Sequence, residues 1–193
     1  MRGKMIKHII LSSFLLGGLS NLAYATDLRG HWEVVKIMNN YISSIACETD
    51  KVKVEDVIKI GETNEFGGAT YYALWGGDIG CSGGSGTHSF YISEVSKFTD
   101  SRPLLVMTND ALGDNNEEYW NTGKQSINYR FLKSMKKIDD KTLEIVSWDY
   151  ADKKFGGSDG GNMGPANKFR YIVSYIDEQG WRITNQQLLE QNK

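Results

Sequence analysis

The sequence predicts a mainly β protein: a single antiparallel β-barrel or β-sandwich domain with long Gly-rich loops and a short helix near residues 37–46. Three observations carry this expectation. About nine short runs alternate apolar and polar residues between polar turns. Glycine outnumbers proline by 21 to 2, so turns depend on positive φ and close backbone approach more than on rigid bends. The long helical patterns that βαβ crossovers require are missing, which leaves antiparallel pairing.

Trp32 to Ile37 reads as a first strand. Ile37, Tyr41, Ile42 and Ile45 then fall at helical spacing and predict a short helix before Cys47. Val52, Val54, Ile58 and Ile60 alternate again. Further strands are predicted at residues 70–75, 90–95, 104–108, 127–135, 142–148, 169–176 and 181–184. Within 127–135, Ile127, Tyr129 and Phe131 share one face while Asn128 and Arg130 point away, the pattern of a half-buried antiparallel strand. Asp139-Asp140-Lys141 and Glu178-Gln179-Gly180 read as hairpin turns, and the tail from Gln186 to Gln191 as a helical turn. Gly-rich segments at 76–86 and 156–164 each precede an aromatic-rich strand and read as two long hairpin loops.

Arg2, Lys4 and Lys7, an apolar run from Ile9 to Leu19, and Ala23-Tyr24-Ala25 predict a secretory signal peptide over residues 1–25. Residues 26–193 are then one β-rich domain, periplasmic or secreted. The apolar run is short for a bilayer span, so no transmembrane anchor is expected.

Loss of Arg2, Lys4 and Lys7 takes the formal charge from −2 to −5. Nucleic acid is a poor partner for such a chain, because its lysines alternate with acids instead of forming a basic face. A basic protein suits it better. Cys47 and Cys81 are the only cysteines, and export would place both in an oxidising compartment, so they are expected to pair. That bond anchors the first Gly-rich segment and leaves no thiolate for catalysis.

No catalytic set emerges. Residues 80–84 and 156–160 both match G-x-S-x-G, but no histidine follows His88 to complete a triad in nucleophile-elbow order. Residues 80–84 also resemble the GDSGG segment of chymotrypsin-like serine proteases, with cysteine in place of aspartate, and His31 lacks the protease context. His31 and His88 are too few for a histidine-based zinc site, and no metal or other cofactor is expected. Asp110, Asp114, Glu117 and Glu118 form an acidic loop with Asn115 and Asn116, but Tyr119 stands where the calcium-loop pattern needs glycine. Docking of Lys or Arg side chains is its best use.

Two short resemblances bear on function. Gly30-His31-Trp32 looks like the G-x-W entry motif of lipocalins, and Asp149-Tyr150 resembles part of their T-D-Y motif, with Trp148 in place of threonine. That resemblance implies an eight-stranded barrel around a small apolar ligand. Residues 84–91, Gly-Ser-Gly-Thr-His-Ser-Phe-Tyr, are similar to the Ser-Gly-x-x-Tyr loops with which some periplasmic lysozyme inhibitors enter the enzyme's cleft, with the tyrosine late. It implies enzyme contacts at Ser85, His88 and Tyr91.

The expected function is therefore an exported, non-catalytic binding protein, an inhibitor or immunity-type protein that engages a basic cell-envelope hydrolase. Its partner-binding residues are expected to be Ser85, Thr87, His88, Tyr91, Asp114, Glu117 and Glu118. The alternatives are a lipocalin-like carrier of a small apolar ligand and an envelope carbohydrate-active enzyme.

Overall fold

The computed structural model describes residues 16–84, 86–113, 126–151, 156–157 and 164–192, with side chains from Leu28 onward. A long helix, α1 (Leu16–Ile45), leads into β1 (Ala46–Asp50), β2 (Val57–Ile60), β3 (Gly67–Ile79), β4 (Ser89–Thr99) and β5 (Leu105–Thr108). These strands form one antiparallel sheet in which β1 and β2 share one edge of β3, and β4 and β5 follow on its other side. A second antiparallel sheet is a plain meander of β6 (Leu132–Asp139), β7 (Thr142–Asp149), β8 (Asn167–Ile176) and β9 (Gly180–Gln191).

Helix, first sheet and second sheet stack as three layers around two cores. Alternation along β3 decides which core each residue joins. Ala69, Tyr71, Ala73 and Trp75 pack against Val34, Val35, Met38 and Ile42 of α1. Tyr72 and Leu74 face the other way and meet Leu132, Leu143, Ile145, Phe169, Tyr171 and Val173 of the second sheet. The first sheet is thus covered on both faces, which is why β3 is buried over almost its whole length.

The β-rich class holds, and several local expectations are corrected. Among the described residues the strands close no barrel, since each sheet keeps two edges. Trp32 to Ile37 is helix, not strand. Val34, Val35, Met38 and Ile42 form one buried stripe at helical spacing, while Trp32 is 62% exposed on the opposite side. The helix predicted near 37–46 is the C-terminal part of α1, which is 30 residues long. Residues 129–131 are a 3₁₀ turn, because the Asn128 side chain accepts a hydrogen bond from Arg130 N–H at 3.2 Å and turns the chain before β6. Val54–Asp56 is likewise a 3₁₀ turn ahead of β2. The tail from Gln186 to Gln191 is strand, continuing β9 against β8.

Two glycine-dependent contacts fix the layers. A methyl group on Gly30 would lie 2.1 Å from the Tyr71 hydroxyl, so this helical glycine lets β3 approach α1. Gly30-His31-Trp32 therefore serves as a packing notch in a helix, with His31 edge-on to Tyr71 at 5.6 Å. Asn39 joins the layers by polar bonds, exchanging both amide contacts with the Val52 backbone at 3.0 Å.

Tyr72 sits between the sheets, and its hydroxyl accepts a hydrogen bond from Trp181 Nε1 at 3.0 Å. Burial pushes its phenol above the ordinary 10.0, only partly opposed by that bond. Tyr91 is raised as well, first by burial and then by the nearby Asp78 charge. The unfolded chain releases these protons near pH 10 while the folded chain retains them. Stability should therefore be full below that pH and fall as pH rises towards the folded pKa values. Thermal melts between about pH 9 and 11 should show this decline, and Tyr72→Phe should flatten it.

Candidate functional site

The first Gly-rich segment is the tip of the β3–β4 hairpin. Gly76 and Gly77 lie within β3, paired with Phe90 and Ser89, and the exposed turn begins at Gly80. Its base is tied in three ways. Cys47 and Cys81 form the expected disulfide, with Cα atoms 5.0 Å apart, joining the end of β3 to β1. Gly80 N–H donates to the Ile45 carbonyl at 2.9 Å. The buried Asp78 carboxylate accepts from Gly83 N–H at 2.8 Å, folding the tip back on its own strand. Cys81 itself takes φ 54°, a left-handed conformation costly for a side-chain-bearing residue, and the disulfide with its neighbouring bonds holds it there.

The hairpin places the predicted contact residues in different environments. Thr87 closes the turn, its Oγ1 donating to the Gly84 carbonyl at 3.1 Å. His88 turns onto Gly76, beside Asp50 of β1, with Nε2 3.4 Å from the carboxylate and its ring edge-on to Phe90 at 5.4 Å. A methyl group on Gly76 would come within 2.8 Å of His88 and 2.6 Å of Asp50, so glycine makes the seat for this pair. Tyr91 stacks on Trp75 at 4.6 Å and packs against the helix-side core. Phe90, one residue earlier, packs against the core between the sheets, so the last two residues of the predicted octet feed opposite faces of the sheet. Ser85, Asp114, Glu117 and Glu118 lie outside the described residues.

Several residues at this end had not been picked out from the sequence. A side chain on Gly86 would approach the Arg130 guanidinium to 3.4 Å, placing Arg130 under the hairpin tip. Arg130 also reaches the Tyr150 hydroxyl at 3.3 Å and lies 5.3 Å from the Phe131 ring centre, which meets Tyr150 edge-on. Asp149, at the end of β7, accepts from Asn128 Nδ2 and Tyr150 N–H, so this dipeptide braces a loop entrance. Asn167 is fully buried and donates to the Tyr150 and Gly156 carbonyls, while its own oxygen accepts from Gln191 Nε2. Nothing marked Arg130, Asp50 or Asp78 before strand register was known. Their roles come from pairings across strands and between sheets.

Leu112 and Ile127, which flank the acidic stretch in sequence, are both buried between the sheets. On the helix side, away from the tip, an open cleft of about 640 Å³ is lined by Arg29, Glu33, Lys59, Tyr71 and Lys97 among others. Its charges largely pair with one another: Arg29 with Glu33 at 3.2 Å and Lys97 with Asp100 at 2.8 Å. Among the described residues no group of three or more His, Cys, Asp or Glu side chains is placed to hold a metal ion. No helix among them is long and apolar enough to cross a membrane.

The architecture and site define a disulfide-pinned, three-layer β protein with an exposed hairpin tip. No family model matches the chain, and no curated protein or solved structure matches it either.

Proposed function

We propose that the chain is an exported, non-catalytic protein-binding domain that engages a cell-envelope hydrolase through the β3–β4 hairpin tip, as an inhibitor or immunity-type protein. The observation that supports this reading is the contrast within one hairpin: residues 80–84 are exposed, while their base is held by the Cys47–Cys81 bond, Asp78 and the Ile45 carbonyl. A loop ordered before binding loses little conformational entropy on binding, so contacts at its tip convert efficiently into affinity. Arg130 and His88 beside the tip supply hydrogen-bond donors, and a chain of net charge −5 after signal removal would attract a basic partner.

In this reading residues 1–25 are removed. The buried side chains described all lie at Val34 or beyond. The α1 backbone runs through Ala23–Ala25, and processing would precede or unwind that part of the helix.

The test is a pull-down from envelope and culture-fluid extracts with tagged mature protein, alongside a Ser85→Ala/His88→Ala variant shown to melt at the same temperature. A hydrolase retained by the wild type and lost by the variant, with its turnover suppressed by the wild type, supports the proposal. Equal retention by both proteins, or retention without suppression of turnover, overturns it.

A further inference from the structure

We propose that β9 is a self-association edge: two copies of the chain pair antiparallel through Gly180–Gln191, merging their four-stranded sheets into one of eight. The argument starts from how the other sheet edges are blunted. β6, at the far edge of the same sheet, carries Lys133, Lys136 and Lys137. In the first sheet, β5 has four residues and follows Pro103, while β1 and β2 have five and four. Short strands, lysines and prolines are the usual means of keeping sheet edges from pairing. β9 has none of these. It is 12 residues long, about 40 Å of edge at the usual rise per residue, and among the described residues it pairs only with β8. Its exposed positions include Thr184, Asn185, Gln187, Leu189 and Glu190.

Charge and register select a second copy as the occupant. Antiparallel pairing centred on Gln186 sets Arg182 of one copy opposite Glu190 of the other, and Glu190 opposite Arg182, giving two opposite-charge pairs about a two-fold axis. All four side chains lie on the outer face, because Arg182 and Glu190 are opposite Ser174 and Lys168 of β8, both on that face. Directly opposed residues across an antiparallel pair share a face, and opposite charges there attract. Asn185 and Gln187 oppose one another in the same register.

The bulges of β9 agree with this pairing. Its two register shifts against β8 leave Thr184 and Leu189 as extra residues. Each lies within three residues of Gln186, on opposite sides of it. Proceeding outward from the axis, either arm therefore meets one bulge before the charged pair is reached, and the register closes again at Arg182 and Glu190. A bulged edge resists a regular foreign strand, yet it remains complementary to its own antiparallel copy. The two-fold contact is isologous and closed, so it ends at a dimer. The Gln186 side-chain oxygen is buried without a hydrogen-bond partner among the described residues, and the axis brings a second carboxamide opposite it.

This inference is independent of the hairpin tip. Sedimentation velocity of the full chain across a concentration series should show a monomer–dimer equilibrium. Glu190→Arg sets like charges opposite each other at both ends and should weaken the dimer on the order of tenfold, and Arg182→Glu/Glu190→Arg should restore it. Circular dichroism checks that each variant is folded. A mixture of Asn185→Cys and Gln187→Cys proteins should cross-link to the mixed dimer, while neither alone should do so efficiently. That readout decides the matter even if the charge variants fail to fold. A wild type that stays monomeric, assemblies larger than dimers, or cross-linking independent of the mixture overturns the proposal.

Discussion

Trp75→Ala is expected to cost about 3–5 kcal/mol of folding stability, the largest effect of any single side chain described. Trp75 is 2% exposed and touches three supports at once. Its ring stacks on Tyr91, its apolar faces belong to the core between α1 and the first sheet, and its Nε1 donates to Ser93 Oγ at 2.8 Å. Ser93 donates onward to Asn109 Oδ1, and Asn109 Nδ2 donates to the Tyr41 hydroxyl, so one polar chain runs from β3 through β4 to the helix. Truncation opens a cavity that rigid strands cannot collapse and deprives buried Ser93 of its indole donor. Urea unfolding followed by circular dichroism measures the loss. Trp75→Phe should recover much of the packing but not the hydrogen bond, leaving a deficit of about 1–3 kcal/mol. An alanine variant within 1 kcal/mol of wild type would show that this core repacks far more freely than its geometry implies.

The second large effect is expected from removing the disulfide. The bond joins residues 34 apart in sequence, and a closed loop of that length constrains the unfolded chain by roughly 3–4 kcal/mol in the chain-entropy treatment. The Cys47→Ala/Cys81→Ala protein should melt at a correspondingly lower temperature, shown by calorimetry. Its loss should fall unevenly across the molecule. The Cys47–Cys81 bond does not involve β6–β9, so amide exchange in the second sheet should change less than at residues 76–91. If the hairpin tip binds the partner, affinity should fall further than a tip contact of unchanged geometry would allow, because ordering the loop is then charged to binding. Equal protection at residues 76–91 with and without the bond would remove the disulfide from that role.

Most strands were legible because a period of two survives in them. Residues 70–75, 90–95, 142–148 and 169–176 all fall inside observed strands, and the turns at 139–141 and 178–180 join β6 to β7 and β8 to β9. The disulfide was legible from an even cysteine count taken with the export that the N-terminal segment predicts. The errors arose where a local pattern was outweighed by a more distant one. Trp32 and Val34 mimic alternation over three residues, but Val34, Met38 and Ile42 answer to the sheet beneath them. Asn128 interrupts an alternating run by capping its own backbone. In β9 the bulges at Thr184 and Leu189 shift the phase twice, leaving Leu188 and Leu189 adjacent, which reads as a helical face.

The site was less legible for a related reason. The loop that carries it is visible as a run of glycines, but what surrounds the loop depends on register. Asp50 reaches His88 only because β1 pairs beside Gly76. Arg130 reaches the tip only because the second sheet packs over the first. The separation of Phe90 from Tyr91, by contrast, follows from alternation along β4 and was available from the sequence.

The layering also has a meaning in time. The buried residues described in the helix-side core lie between Val34 and Leu104, and the second sheet draws its strands from Leu132 onward. The protein can therefore assemble in the order of its synthesis: helix against first sheet, then a meander of neighbouring strands whose pairings are all local. Such contacts close short loops and favour rapid folding. Between the two stages, Tyr72, Leu74 and Ile92 form an uncovered apolar face awaiting the last third of the chain. A protein halted at that point would be sticky, so the interval before β6–β9 arrive is when a chaperone has most to protect.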